Sequence, residues 1–173
     1  MNHERANWAL AGVLGGVILL TAGCSSLGLG GAKPAAWTVT ITKKAEASIE
    51  VDVIGVTEDE KPLWENYNLD KYWSPGDPRR KRAAEDKITT SFQSGKVFTI
   101  EKKDPQWNLW FEKGVTELVV IAFLPGKFEP GSADMRRRFL PLDRKSWDAK
   151  KDTLEIDVRE DMVKVLTRRK VRR

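Results

Sequence analysis

From Trp37 onward the chain alternates apolar and polar positions with period two in segment after segment. Trp37, Val39 and Ile41 interleave with Thr38, Thr40 and Thr42, a pattern that predicts a half-buried strand with β-branched residues on both faces. Ile49, Val51 and Val53 repeat it against Ser48, Glu50 and Asp52, and Gly55 late in that run reads as a bulge. The short link Lys43 to Ala47 makes these strands either a hairpin or neighbours across two sheets. Lys87 to Lys103 predicts two short strands joined at Ser94-Gly95, with Phe92, Ile100 and one of Val97 or Phe98 available for burial. Beyond the Asp104-Pro105 turn, Trp107, Leu109 and Phe111 fall on one face of a strand and Trp110 on the other. Leu118 to Leu124 is almost continuously apolar, as expected of a central strand covered on both sides, and Pro125-Gly126 stops it. Further strands follow the arginines at 136–138, in the alternation of Leu154, Ile156 and Val158, and in a last edge segment after Met162.

One stretch breaks the period. Trp64, Tyr67 and Tyr72 lie at helical offsets, and Pro75, Gly76 and Pro78 end any helix there, leaving Arg79 to Arg82 as an exposed basic loop. Seven to nine short strands with turn signals about every ten residues and one helical insert give an all-β fold, an antiparallel β-sandwich.

The N-terminal pattern differs again. Trp8 to Ala22 is apolar but shorter than the roughly 20 residues that span a bilayer core. With Arg5 before it and small residues after, it reads as a secretory signal over residues 1–23. Leu20-Thr21-Ala22-Gly23-Cys24 resembles the bacterial lipobox, which implies cleavage before Cys24, a diacylglycerol thioether on its sulfur and an acyl chain such as palmitate on its amine. The alternative is a buried cysteine in a short anchor helix. Ser25 after the cysteine points to the outer membrane, with the domain facing the periplasm. Residues 24–36, rich in glycine and small side chains, form a flexible tether with a reach on the order of 20 Å. The sandwich then occupies residues 37–173, ending in a basic tail.

Composition narrows the chemistry. The chain has one histidine, His3, and one cysteine, Cys24. Cleavage and lipidation remove both from service, and with them Ser-His and Cys-His nucleophile pairs, thiolate zinc sites and disulfides. The expectation is a protein that is not an enzyme, with no cofactor other than the covalent lipid and no metal. Glu58-Asp59-Glu60 and the pair Asp157/Asp161 are the remaining carboxylate candidates for hydrolysis, and the first lacks the pattern of a calcium loop. The net charge of +5 gathers in Arg79-Arg80-Lys81-Arg82, Arg136-Arg137-Arg138 and Arg168 to Arg173. Export argues against nucleic acid, so these runs meet anionic lipid head groups, an acidic partner protein, or solvent alone. Trp64, Tyr67, Tyr72 and Trp73 either face outward to bind a sugar ring or a protein, or plug the open end of the sandwich.

The order of lipobox, glycine-rich tether, two strands, short aromatic helical insert and a late apolar strand Val119-Val120-Ile121-Ala122-Phe123 resembles the TssJ family of type VI secretion lipoproteins. That resemblance implies a transthyretin-like sandwich acting as a non-enzymatic adaptor in a cell-envelope secretion complex. Its partner would be the periplasmic C-terminal domain of a TssM-like inner-membrane protein. Members carry a longer loop between the first two strands, which touches that partner; here Lys43 to Ala47 stand in its place, and Ile54-Gly55-Val56 replaces a YQL-like strand end. The implied partner-binding residues are Lys43 and Lys44 with Trp64, Tyr67, Tyr72 and Trp73. The competing expectation is an envelope glycan- or lipid-binding lipoprotein module.

Overall fold

The structure, a computed structural model, describes residues 33–92, 96–149 and 151–170. The signal segment, Cys24, the tether up to Ala32, the Ser94-Gly95 turn and the last three residues of the basic tail lie outside the described residues.

Eight strands are present among the described residues: β1 (Thr38–Lys43), β2 (Glu50–Val56), β3 (Lys87–Ser91), β4 (Val97–Ile100), β5 (Glu117–Ala122), β6 (Arg137–Pro141), β7 (Thr153–Val158) and β8 (Val163–Val165). They form two four-stranded sheets, ordered β4-β1-β7-β8 and β3-β2-β5-β6. The expected sandwich is thus present, and β1 and β2 lie in different sheets. Five of the strand pairings are antiparallel, while β1 and β7 run parallel with Val39 opposite Leu154 and Ile41 opposite Ile156. A parallel pair cannot be joined by a tight turn, and here most of the chain lies between the two strands.

Alternation does its work on the inner faces. Val39, Ile41, Ile100, Leu154, Ile156 and Val158 of one sheet meet Val51, Val53, Leu118, Val120, Ala122 and Leu140 of the other. Because Ile41 pairs with Phe98 and Val39 with Ile100, it is Phe98 that turns inward and Val97 that stays exposed.

Two corrections concern the rim of this core. Gln106–Glu112 is a helix, α4, and not a strand. Trp107, Trp110 and Phe111 follow one another at offsets of three and four, which a helix turns to one side. The two indoles meet edge to face with centroids 5.0 Å apart. Gly55 makes no bulge, for the β2–β5 register runs unbroken through Gly55 opposite Leu118. Its missing side chain instead admits Trp110, since a Cβ there would lie 2.6 Å from the indole Nε1 and 2.9 Å from Cγ. Four indoles of this core have their N–H groups satisfied: Trp110 donates to the Asp86 carbonyl at 2.9 Å, Trp107 to Glu101 at 3.0 Å, Trp37 to Leu142 at 3.0 Å and Trp147 to Pro141 at 2.7 Å.

The chain between β2 and β3 adds a third layer. It contains α1 (Lys61–Glu65), α2 (Leu69–Tyr72) and α3 (Pro78–Arg82). Trp64, Leu69, Tyr72 and Ala83 pack on Ile54, Val56, Val119 and Ile121, which occupy the outer face of the β2–β5 pair. The aromatic insert therefore covers a sheet and does not plug an end of the sandwich. Pro78 starts a helix where a stop was expected, because Asp77 caps it through a bond from the Arg80 amide at 2.8 Å and proline suits the first helical position.

Candidate partner-binding site

The predicted site residues divide between this layer and one end of the sandwich. Trp64 and Tyr72 are buried, while Tyr67 and Trp73 are half-buried. The four rings form a chain of edge contacts, with Trp64 and Tyr72 5.9 Å apart and Tyr72 and Trp73 5.1 Å apart. The expected basic loop is folded onto the same rings. Arg79 stacks 4.7 Å over Tyr67 and 5.1 Å over Trp64, and Arg80 stacks 4.3 Å over Trp73. Lys81 and Arg82 remain exposed.

Beneath this layer lies Asp52, fully buried. Its carboxylate accepts hydrogen bonds from the Tyr72 hydroxyl at 2.6 Å, Thr89 Oγ1 at 2.5 Å, Arg80 Nε at 3.0 Å and Lys87 Nζ at 3.3 Å. Burial pushes its pKa up, but the hydrogen bonds from Thr89, Tyr72 and Arg80 outweigh burial and hold it below the usual carboxylate range. Burial first, and then the charge of Asp52, push the Tyr72 hydroxyl far above its ordinary range. Tyr72 thus stays a neutral donor, and the network fixes α2 and α3 to the β2–β3 pair.

The second arginine run is also internal. Arg136 and Arg137 are buried. Arg136 pairs with Asp134 at 2.7 Å and Asp70 at 2.6 Å. Arg137 donates to the carbonyls of Trp64 at 2.6 Å and Tyr67 at 3.0 Å, and also to those of Glu65 and Gly131. The carbonyls of Trp64, Glu65 and Tyr67 lie at the end of α1 and in the turn after it, and that of Gly131 lies in the loop before β6, so one guanidinium ties the two together. The expectation of solvated runs fails here because an arginine fork finds main-chain acceptors that charge alone does not reveal.

Lys43 and Lys44 stand elsewhere, at the end of β1. The Lys43 amide donates to the Lys96 carbonyl at 2.7 Å and the Lys44 amide to that of Val158 at 2.8 Å. With Thr42, Ala45, Glu46 and Lys96 they line a shallow hollow of about 210 Å³. This end of the sandwich also gathers exposed apolar side chains. Val97 is 59% exposed at the start of β4, opposite Thr42. Phe123 is 53% exposed just past β5, its amide bonded to the Glu50 carbonyl at the start of β2. Phe123 meets Trp73 with ring centroids 5.3 Å apart, which links the aromatic layer to this end. The structure thus brings Trp73 to Phe123 and leaves Trp64 and Tyr72 as packing residues.

Phe123 and Asp52 escape a reading by composition, yet the alternation holds both signals. Phe123 continues the outer-face series Val119, Ile121 beyond the last pairing of β5. On β2 the outer face changes from Glu50 and Asp52 to Ile54 and Val56, so something must cover its later half. As for the acidic candidates, Glu60 accepts from the amide and hydroxyl of Thr57, both at 3.1 Å, and closes the turn into α1. Asp157 pairs with Arg159 at 3.4 Å, and Asp161 is exposed. Among the described residues no group of three His, Cys, Asp or Glu side chains could hold a metal ion, and no helix is long and apolar enough to cross a membrane.

No protein-family profile and no curated protein matches the chain. Solved structures do. A chain from the structure of the T6SS protein TssM C-terminal domain from EAEC superposes with a TM-score of 0.51 at 12% identity, covering 75% of this chain and 99% of that one. A chain of a type VI membrane complex gives a TM-score of 0.50 at 12% identity, covering 78% and 99%. The T6SS lipoprotein TssJ1 from Pseudomonas aeruginosa, at 0.45 and 10% identity over 79% and 98%, is a weaker match on which nothing below depends. At these identities the likeness establishes one thing, a sandwich fold that this chain shares, over about three quarters of its length, with chains solved from type VI secretion assemblies.

Proposed function

We propose that this chain is a non-enzymatic lipoprotein adaptor of the bacterial envelope, anchored in the outer membrane through lipid on Cys24. In this reading it holds a periplasmic domain of a TssM-like inner-membrane secretion protein. The observation that carries the reading is the fold likeness across 99% of chains from a type VI membrane complex and a TssM-domain structure. The end of the sandwich bearing Lys43, Lys44, Trp73 and Phe123 supplies the contact. It offers exposed apolar side chains rimmed by lysines, the composition of a small interface core with a polar border.

The test is binding of the full chain in detergent to a purified periplasmic domain of such a partner. Phe123→Glu is expected to weaken it about thirtyfold, as for a central aromatic contact worth about 2 kcal/mol. Lys43→Glu with Lys44→Glu should slow association more than it speeds release. Unchanged affinity in both variants would overturn the assigned surface. The glycan-binding alternative is weakened by the layer itself, because Arg80 occupies one face of Trp73, and Phe123 packs beside it, where a sugar ring would stack.

A further inference from the structure

On the lateral side of the sandwich, α1, the edge strand β6, the edge strand β8 and the segment after it enclose an open groove of about 680 Å³. Its charge is one-sided. Lys61, Arg137, Arg138, Lys164, Arg168 and Arg169 line it against the single carboxylate of Glu65. Lys61 is matched by Glu117 at 2.7 Å. The other five cations form no ion pair among the described residues, although the buried Arg137 is already committed to four main-chain carbonyls. Lys164 lies in register with Asp157, but that carboxylate is turned to Arg159. Arg138 turns one guanidinium nitrogen to the Arg137 carbonyl and the other to the Met135 sulfur, so neither meets a carboxylate.

The groove is also bordered by an open strand edge. The Val163 amide donates across to the Met135 carbonyl at 2.9 Å, which shows that the odd positions of β8 turn their backbone away from β7. By the alternation of ladder bonds, the backbone groups of Val165 then face the groove. No backbone hydrogen bond takes them among the described residues. On the opposite wall the Phe139 carbonyl is already occupied by Arg169 Nη2 at 2.6 Å. Apolar surface runs between the cations, with Leu166 45% exposed and Phe139 and Val165 half-buried.

We infer that this groove binds an extended acidic polypeptide segment that adds to the β8 edge. Such a segment supplies backbone groups to Val165, apolar side chains to Leu166 and carboxylates to Arg138, Lys164 and Arg168. A phosphate cluster would satisfy the charges alone and leave the strand edge and the apolar strip unused. The groove shares no residue with the Lys43, Lys44 and Phe123 surface, so the inference stands or falls independently of the adaptor reading.

The experiment titrates the full chain in neutral detergent with a fluorescent peptide of alternating valine and glutamate, about ten residues long to match a strand. A valine–serine peptide, phosphatidylglycerol vesicles and inorganic polyphosphate are compared. Saturable binding of the acidic peptide that weakens with added salt is expected. Lys164→Glu with Arg168→Glu should lower the affinity about tenfold. Reversing the exposed Lys81 and Lys103 should leave it within about twofold. Lys164→Gln with Arg168→Gln, which adds no repulsion, should fall between. The inference is overturned if the valine–serine peptide binds as well, or if the Lys81/Lys103 pair matters equally. It is also overturned if only vesicles or polyphosphate respond to the groove variants.

Discussion

Asp52 and Gly55, three residues apart on β2, show how single positions set the packing on opposite faces of one sheet. Asp52 binds its proton more weakly in the folded chain than in the unfolded one. The stability that it contributes is therefore fully present above the unfolded carboxylate range near ~4, and it is lost as the pH falls through the lower folded value. Asp52→Asn is expected to cost about 3 kcal/mol at neutral pH, because Arg80 and Lys87 lose a buried counter-charge. The same variant should flatten the loss of stability with acid, measured as the urea midpoint against pH. On the inner face, Gly55→Ala puts a methyl group against the Trp110 indole. The expected loss is about 1–3 kcal/mol, visible as a lower thermal midpoint and a shifted tryptophan emission.

At the scale of elements, the helical layer hangs on Arg137, whose guanidinium reaches into α1, the turn after it and the Gly131 carbonyl. Arg137→Lys keeps the charge but loses the fork, and about 2 kcal/mol is expected to go with it. Hydrogen exchange should locate the loss, with amides from Trp64 to Trp73 exchanging sooner than those of β5. The strands were legible where alternation is clean, as in Val39 and Ile41 or Leu154, Ile156 and Val158. β5 was legible too, since its apolar run is short, rich in valine and isoleucine and stopped by Pro125-Gly126, which suits a strand covered twice better than a buried helix. α4 was misread because Trp107, Leu109 and Phe111 satisfy period two as well as Trp107, Trp110 and Phe111 satisfy offsets of three and four. In five residues neither period excludes the other. The internal role of the arginines at 136–138 was not legible, because sequence shows charge but not the carbonyls and carboxylates that a fold brings to it.

For the molecule as a whole, the proposed lipid anchor and the folded sandwich are separable. Trp37 and the core it joins belong to the sandwich, whereas Cys24 lies ahead of them in sequence and outside the described residues. Cys24→Ala is expected to move the protein from the membrane to the soluble fraction while its urea midpoint stays unchanged. Retention in washed membranes would contradict lipid anchorage. The candidate site was half legible: the aromatic cluster was found in sequence, but which of its rings face outward depends on how a layer folds over a sheet. The parallel pairing of β1 with β7 carries one more consequence. β1 is among the earliest segments of the sandwich to be synthesised and β7 among the last, so the β4-β1-β7-β8 sheet stays incomplete until nearly the whole chain is available. Such long-range closure folds slowly. The β3-β2-β5-β6 sheet draws only on strands between Glu50 and Pro141 and does not wait for β7, so on refolding its amides are expected to gain protection from hydrogen exchange before those of β1.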